Sequence, residues 1–126
     1  MQTRQVQRYQ QIVDRFDAVA RASLGKLAHI QDLCRLAAIE QRTLVRAFRA
    51  VRGTTPFRYL HALRLAEARE ALLASDAAAE TVTQVAMRFG FRELGRFAVD
   101  YRSTFGESPS ETLRRTIEPG RSERCA

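Results

Sequence analysis

The sequence predicts an all-α fold of about seven helices, and three observations carry that prediction. Apolar residues recur at three- and four-residue spacing in every long segment, and no stretch alternates with period two over a useful length. Six Gly and three Pro in 126 residues are too few for a turn-rich β-sandwich. Ala and Leu, both strong helix formers, are abundant. A hydrophobic content of 45% is normal for a globular chain and too high for a disordered one. The length suits one compact unit, or two small subdomains sharing a helix, and excludes scaffolds such as the (β/α)₈ barrel, which needs ~250 residues.

Taken in order, Val6, Tyr9, Ile12, Val13, Phe16, Val19 and Ala20 mark one amphipathic helix over about residues 5–21, and Gly25 sits in the break behind it. Ile30, Leu33, Cys34 and Ala37 form a short stripe, interrupted at Ala38-Ile39-Glu40. Leu44, Ala47, Phe48 and Val51 form the next, which stops at Gly53, a residue suited to the left-handed position after a helix. Thr55 can cap the following helix and Pro56 can take its first position, where no amide hydrogen is needed. That helix, to about Ala74, carries Tyr59, Leu60, Leu63, Ala66, Leu72 and Leu73; Ser75–Glu80 reads as a small polar linker.

Thr81-Val82-Thr83-Gln84 is a capping box, in which hydroxyl and amide side chains each satisfy a free backbone amide. Val82, Val85, Ala86 and Phe89 give a short helix stopped at Gly90; Leu94, Phe97, Ala98, Tyr101 and Phe105 give another, stopped at Gly106. Ser108-Pro109-Ser110-Glu111 is a second capping box and opens a last helix that reaches about Thr116. Residues 117–126, including Pro119–Arg124, read as a disordered tail. The expected organisation is a linker or extension over 1–10, a first subdomain over 11–55, a connecting helix over 56–75 and a second subdomain over 76–116.

The chain carries a net charge of +7, and of its 21 basic residues all but Lys26 are Arg. Arginine has a fixed charge and a planar fork of donors that suits phosphates and guanine edges, so the composition points toward nucleic acid. A codon bias toward Arg and Ala produces the same composition. Cys34 and Cys125 make no disulfide framework, which fits a reduced cytosolic protein. Cys34 reads as a small core residue, with a redox-responsive thiol as the other reading. His29 and His61 share no metal-ligand spacing with the cysteines and carry no assigned role. The polar start Met-Gln-Thr-Arg-Gln-Val-Gln-Arg has neither the apolar run of a signal peptide nor that of a membrane span.

The chain repeats itself weakly. Ile30, Leu33, Cys34, Ala38 and Ile39 match Val82, Val85, Ala86, Gly90 and Phe91 at an offset of 52; Leu44, Phe48, Gly53 and Pro56 match Phe97, Tyr101, Gly106 and Pro109 at an offset of 53. Each copy is a short helix, a tight turn plugged by Ile39 or Phe91, and a longer helix, the layout of a helix-turn-helix. Two packed helical hairpins with no ligand fit the same repeat. The free faces separate the readings. Gln41–Gly53 holds Arg42, Arg46, Arg49 and Arg52 and no acid, whereas the second copy exposes Arg92, Glu93, Arg96, Val99, Asp100 and Arg102. On a helix lying in the major groove, Arg binds guanine O6 and N7 bidentately, and other Arg side chains neutralise phosphates.

These residues resemble the DNA-binding domain of bacterial transcription regulators of the AraC/XylS type, over about residues 10–115. The resemblance rests on Asp32-Leu33-Cys34, Arg42-Thr43-Leu44, Arg46-Ala47-Phe48, Gly53, Pro56, Tyr59-Leu60, Arg64-Leu65 and Ala68-Arg69. More specific still are Val82-Thr83-Gln84-Val85-Ala86, Gly90-Phe91, Gly95-Arg96-Phe97, Tyr101, Phe105-Gly106 and Ser108-Pro109. It implies two helix-turn-helix subdomains joined by the helix Pro56–Ala74, with recognition helices Gln41–Arg52 and Glu93–Thr104 entering successive major-groove segments. Its base-contacting places fall on Arg42, Val45 and Arg46, and on Leu94, Gly95, Arg96 and Val99. Phosphate contacts are expected from Arg49 and Arg92 and at the helix starts of Thr81 and Ser108.

Departures from the family pattern carry consequences. Glu40 stands at the usual Ser or Thr cap, where it complements the helix dipole but caps poorly and repels phosphate. Ala38 replaces a common turn glycine. Val99 replaces a common Arg, which favours apolar reading, for example of thymine methyl groups. Asp100 faces solvent with no contact assigned.

The expected function is sequence-specific binding of double-stranded promoter DNA, with RNA polymerase as a partner implied by the resemblance. The expected location is the cytoplasm, on the nucleoid. No cofactor, metal or membrane partner is expected, and no nucleophile–base set, carboxylate pair or phosphate-binding glycine loop supports an enzyme. The competing reading is a helical protein–protein interaction module that depends on an apolar patch rather than on Arg46 and Arg96. An N-terminal effector or dimerisation domain is usual in the family and has no room in 126 residues, so the chain is either a stand-alone member or the C-terminal piece of a longer regulator.

Overall fold

The computed structural model describes residues 2–23, 29–75 and 80–117. Among them are seven α-helices and no strand: α1 Gln2–Ala22, α2 Ile30–Ala37, α3 Gln41–Arg52, α4 Pro56–Ala74, α5 Val82–Arg88, α6 Leu94–Phe105 and α7 Pro109–Ile117. The break at Gly25, most of the Ser75–Glu80 linker, the tail beyond Ile117 and Cys125 lie outside the described residues. The chain divides into two compact units at Leu63/Arg64, inside α4.

In the first unit, α1 supplies Ile12, Val13, Phe16 and Ala20, α2 supplies Ile30, Leu33, Cys34 and Ala37, and α3 supplies Leu44, Ala47 and Phe48. Phe16 meets Phe48 edge-to-face with ring centroids 5.6 Å apart, and Phe48 leans on Tyr59 at 5.2 Å. Such aromatic pairs add ~0.5–1.5 kcal/mol beyond the area they bury. The Tyr59 hydroxyl donates to Asp17, which also receives Arg21 Nε at 3.1 Å. Cys34 is a buried free thiol within this core, and burial pushes its pKa up.

The turn between α2 and α3 is held by the backbone. Ala38 N–H donates to Arg35 and Ile39 N–H to Cys34, and Ile39 tucks into the core. This closure places Ala38 at φ 56°, ψ 47°. It is the one described non-glycine residue with positive φ. In the second copy the matching Gly90 has φ 91° and carries no Cβ to strain.

In the second unit, Phe91, Phe97, Tyr101 and Phe105 form an aromatic file with successive centroid separations of 4.6, 5.7 and 4.7 Å. Val85 and Ala86 of α5 and Leu65, Ala68 and Leu72 of α4 complete the core. Tyr101 has no exposed surface, and its hydroxyl donates to Thr112 Oγ1 at 2.7 Å. Thr112 in turn donates to Glu107, which is also bridged by Arg69 at 3.3 Å and Arg115 at 2.9 Å. Arg69 covers the Phe105 ring at 5.0 Å.

Several elements differ in detail from the sequence expectation. Helix α1 begins at Gln2 rather than near residue 5, so residues 2–10 are helical, yet its buried stripe starts only at Ile12 and Val6 stays 55% exposed. On α4 the apolar positions do not form one stripe, because they serve two cores: Leu65 and Ala68 are buried, while Ala66 and Leu73 face outward. Phe105 is half-buried and Ala98 exposed. Helix α6 runs Leu94–Phe105, one residue later than Glu93–Thr104, because Glu93 is extended and only its carbonyl joins the helix, accepting from Phe97 N–H at 2.9 Å.

Candidate nucleic-acid interface

Helix α3 buries Leu44, Ala47 and Phe48, so 3.6 residues per turn rotate Arg42, Arg46 and Arg49 onto the opposite, solvent-exposed face. Val45 lies half-buried at the edge of that face. Arg52, one turn beyond Phe48, folds back over the Tyr59 ring at 5.2 Å, which engages it in the fold. The helix starts without a side-chain cap: Glu40 accepts Leu44 N–H through its carbonyl at 3.0 Å, and its carboxylate makes no capping bond. Gly53 ends it at φ 66°, donating to the Arg49 carbonyl.

Helix α6 presents a different surface. Leu94 is 39% exposed, Gly95 is open on its Cα side, and Val99 is 63% exposed, so an apolar strip lies in water beside Arg96. Arg92, Arg96 and Arg102 are exposed. Asp100, left without a role by the sequence, sits one turn from Arg96 and pairs with its Nε at 3.5 Å. That pair is long and solvent-exposed on the Arg96 side, and the i, i+4 spacing was its signal.

Thr81 and Ser108 serve the fold first. Thr81 Oγ1 accepts Gln84 N–H at 3.1 Å while Thr81 N–H donates to Gln84 at 2.8 Å. Ser108 and Glu111 form the same reciprocal pair at 3.1 and 3.4 Å. The hydroxyl oxygens and cap amides are thus engaged; the open first-turn amides are those of Val82 and Thr83 behind Thr81 and of Ser110 behind Ser108, since Pro109 has no N–H. The α2 start has a cap the sequence reading missed, His29 N–H donating to Asp32 at 3.2 Å.

A further group was not foreseen. Arg4, Gln5, Arg8 and Tyr9 of α1 face Thr43 and Arg46 of α3 across an open cleft of about 860 Å³. The sequence signal was present: Arg4 and Arg8 are one turn apart, and no acid precedes Asp14.

Two helix-turn-helix motifs, each presenting an arginine-bearing second helix, define a DNA-binding type of domain. A sequence profile for the family described as Helix-turn-helix domain matches residues 33–115. A probable AraC family transcriptional regulator from Rhodopseudomonas palustris CGA009 is 38% identical, with a TM-score of 0.72 over 84% of this chain and 97% of that one. The chain belongs to the AraC family of helix-turn-helix proteins. The DNA-binding domain of AdpA, a global transcriptional factor solved in complex with a target DNA, is 28% identical, with a TM-score of 0.66 over 84% of this chain and 94% of that one. A probable thc operon regulatory protein of Rhodococcus erythropolis is 45% identical over 85 residues, 68% of this chain. The chain spans only 26% of that relative's length.

Proposed function

We propose that this chain is the DNA-reading part of a transcription regulator rather than an enzyme, and that α3 and α6 each enter a major-groove segment of promoter DNA. The observation that carries this reading is the acid-free α3 face of Arg42, Arg46 and Arg49, held outward by Leu44, Ala47 and Phe48. Arg42, Val45 and Arg46 meet base edges, with Arg46 suited to bidentate pairing with guanine. On α6, Leu94, Gly95, Arg96 and Val99 meet bases. The exposed Val99 favours thymine methyl groups, and Gly95 lets the backbone come close. Arg49 and Arg92 bind phosphates, assisted by the open first-turn amides behind Thr81 and Ser108.

The bound protein acts in the cytoplasm by recruiting or excluding RNA polymerase. The DNA complex of the AdpA domain supports the duplex as partner. The 26% coverage of the Rhodococcus erythropolis regulator is in keeping with an effector or dimerisation domain elsewhere in the whole protein.

Selection of binders from randomised duplexes with the purified chain tests the reading. Two enriched blocks are expected, one per recognition helix. Arg46→Ala relaxes one block and Arg96→Ala the other, each loss corresponding to ~1–3 kcal/mol of discrimination. A single block makes α6 a positioning element. No enrichment, with weak and uniform binding, refutes base reading by this chain and leaves the protein–protein module.

A further inference from the structure

We propose that the first turns of α1 form a phosphate clamp: Arg4 and Arg8, across the cleft from Thr43 and Arg46 of α3, hold the sugar-phosphate strand that flanks the major groove entered by α3. The inference deepens the DNA-reading function and rests on it.

The first observation is helix without core. Residues 3–8 are exposed and the buried positions of α1 begin at Ile12, so burial does not account for the first two turns. The second is charge. Three arginines border the cleft with Gln5, Tyr9 and Thr43, and among the described residues no acid lines it. Like charges at i, i+4 weaken a helix, so this grouping costs stability unless an anion occupies it. Gln5 and Tyr9 are already joined, Gln5 Nε2 donating to the Tyr9 hydroxyl at 3.0 Å, which leaves the guanidinium groups as the main ligands for an oxyanion.

The third observation is position. An α-helix with its side chains is ~10–12 Å across and the major groove is ~12 Å wide, so a helix lying in that groove has a phosphate strand along each side. On α3, Thr43 and Arg46 lie toward α1, so the strand on that side runs into the cleft where Arg4 and Arg8 wait. A second, smaller cleft farther along α1 is lined by Arg8 and Arg15 but also by Glu40, whose carboxylate opposes a phosphate. The clamp is therefore centred on Arg4 and Arg8.

The test is a salt titration of binding to a labelled random-sequence duplex of about 24 base pairs, long enough for two turns of DNA. For wild type, Arg4→Gln/Arg8→Gln and Arg4→Lys/Arg8→Lys, log Kobs is plotted against log salt. Each lost phosphate contact reduces the slope by ~0.9, so the Gln pair is expected to flatten it by ~1.8 and weaken binding by roughly 30-fold at 0.15 M salt. The Lys pair keeps the wild-type slope, since an ammonium also neutralises phosphate. Blocks selected from random duplexes stay unchanged in both variants. Helicity by circular dichroism and a Tm no lower than those of wild type show that α1 is retained, which the exposed sites, the helix propensity of Gln and the removal of a like-charge pair favour. If wild type binds steeply and the Gln pair keeps its slope, the clamp is refuted and the DNA reading stands. If Gln and Lys pairs alter the selected blocks, these residues read bases and the clamp is refuted. If wild type binds no duplex, both readings fall.

Discussion

Ala38 offers a measurable stability gain from one exposed methyl group. It closes the α2–α3 turn at φ 56°, ψ 47°, a conformation that costs an L-residue with a Cβ ~1–2 kcal/mol. The side chain is exposed, so Ala38→Gly removes that strain without opening the core. Glycine also gains freedom in the unfolded chain, which takes back ~0.4–1 kcal/mol. The net expectation is a stabilisation of ~0.5–1 kcal/mol, or a Tm rise of ~2–8 °C for a unit of this size. Thermal and urea melts followed by circular dichroism measure it. Gly90→Ala is the mirror experiment: the same turn in the second copy has φ 91°, so the substitution is expected to destabilise by a similar amount. The opposite signs are diagnostic. A fall in Tm for Ala38→Gly, or a gain for Gly90→Ala, refutes the claim that left-handed strain is what distinguishes the two turns.

Thr112→Val keeps the shape of a fully buried residue but removes the acceptor for Tyr101, so ~1–3 kcal/mol should be lost in urea denaturation. Adding Tyr101→Phe should recover the part of that loss due to the orphaned hydroxyl and leave the part due to the missing Thr112–Glu107 bond. Glu107 is held below its ordinary value of 4.5, first by the Thr112 hydroxyl and then by Arg115 and Arg69. With the folded pKa depressed, this carboxylate stabilises the fold above the ordinary value, and its contribution fades as pH falls through the lowered one. Glu107→Gln should therefore flatten the acid limb of the stability curve below about pH 4.5, and an unchanged limb refutes the assignment. Asp100→Asn releases the Arg96 edge and removes a negative charge. An exposed pair of this kind is worth ~0.2–1 kcal/mol, so duplex affinity should rise by roughly 1.4–5-fold in a fluorescence anisotropy titration. A fall in affinity would make Asp100 a direct DNA contact.

The elements of this fold were readable because their signals are local. Capping boxes at Thr81 and Ser108, stop residues at Gly53 and Gly106, and the stripes of α2, α3 and α6 each depend on residues within a turn or two of one another. The paired helix-turn-helix layout followed from their repetition, and the outward Arg42, Arg46 and Arg49 from the 3.6-residue period. Tertiary structure alone decided the rest, since it depended on partners distant in sequence. Arg4 and Arg8 belong to a cleft only because α1 packs on α3 and brings Thr43 and Arg46 opposite. The two cores obscured the stripe on α4: Ala66 had the right spacing and faces outward, while Leu65 is buried. The left-handed backbone of Ala38 was signalled by its match to Gly90, but the conformation itself belongs to a turn closed by Ile39 reaching into a core built from several helices. Periodicity determines which side of a helix is apolar. Which neighbours its polar side acquires is decided by packing, as Arg4 and Arg8 beside Thr43 and Arg46 illustrate.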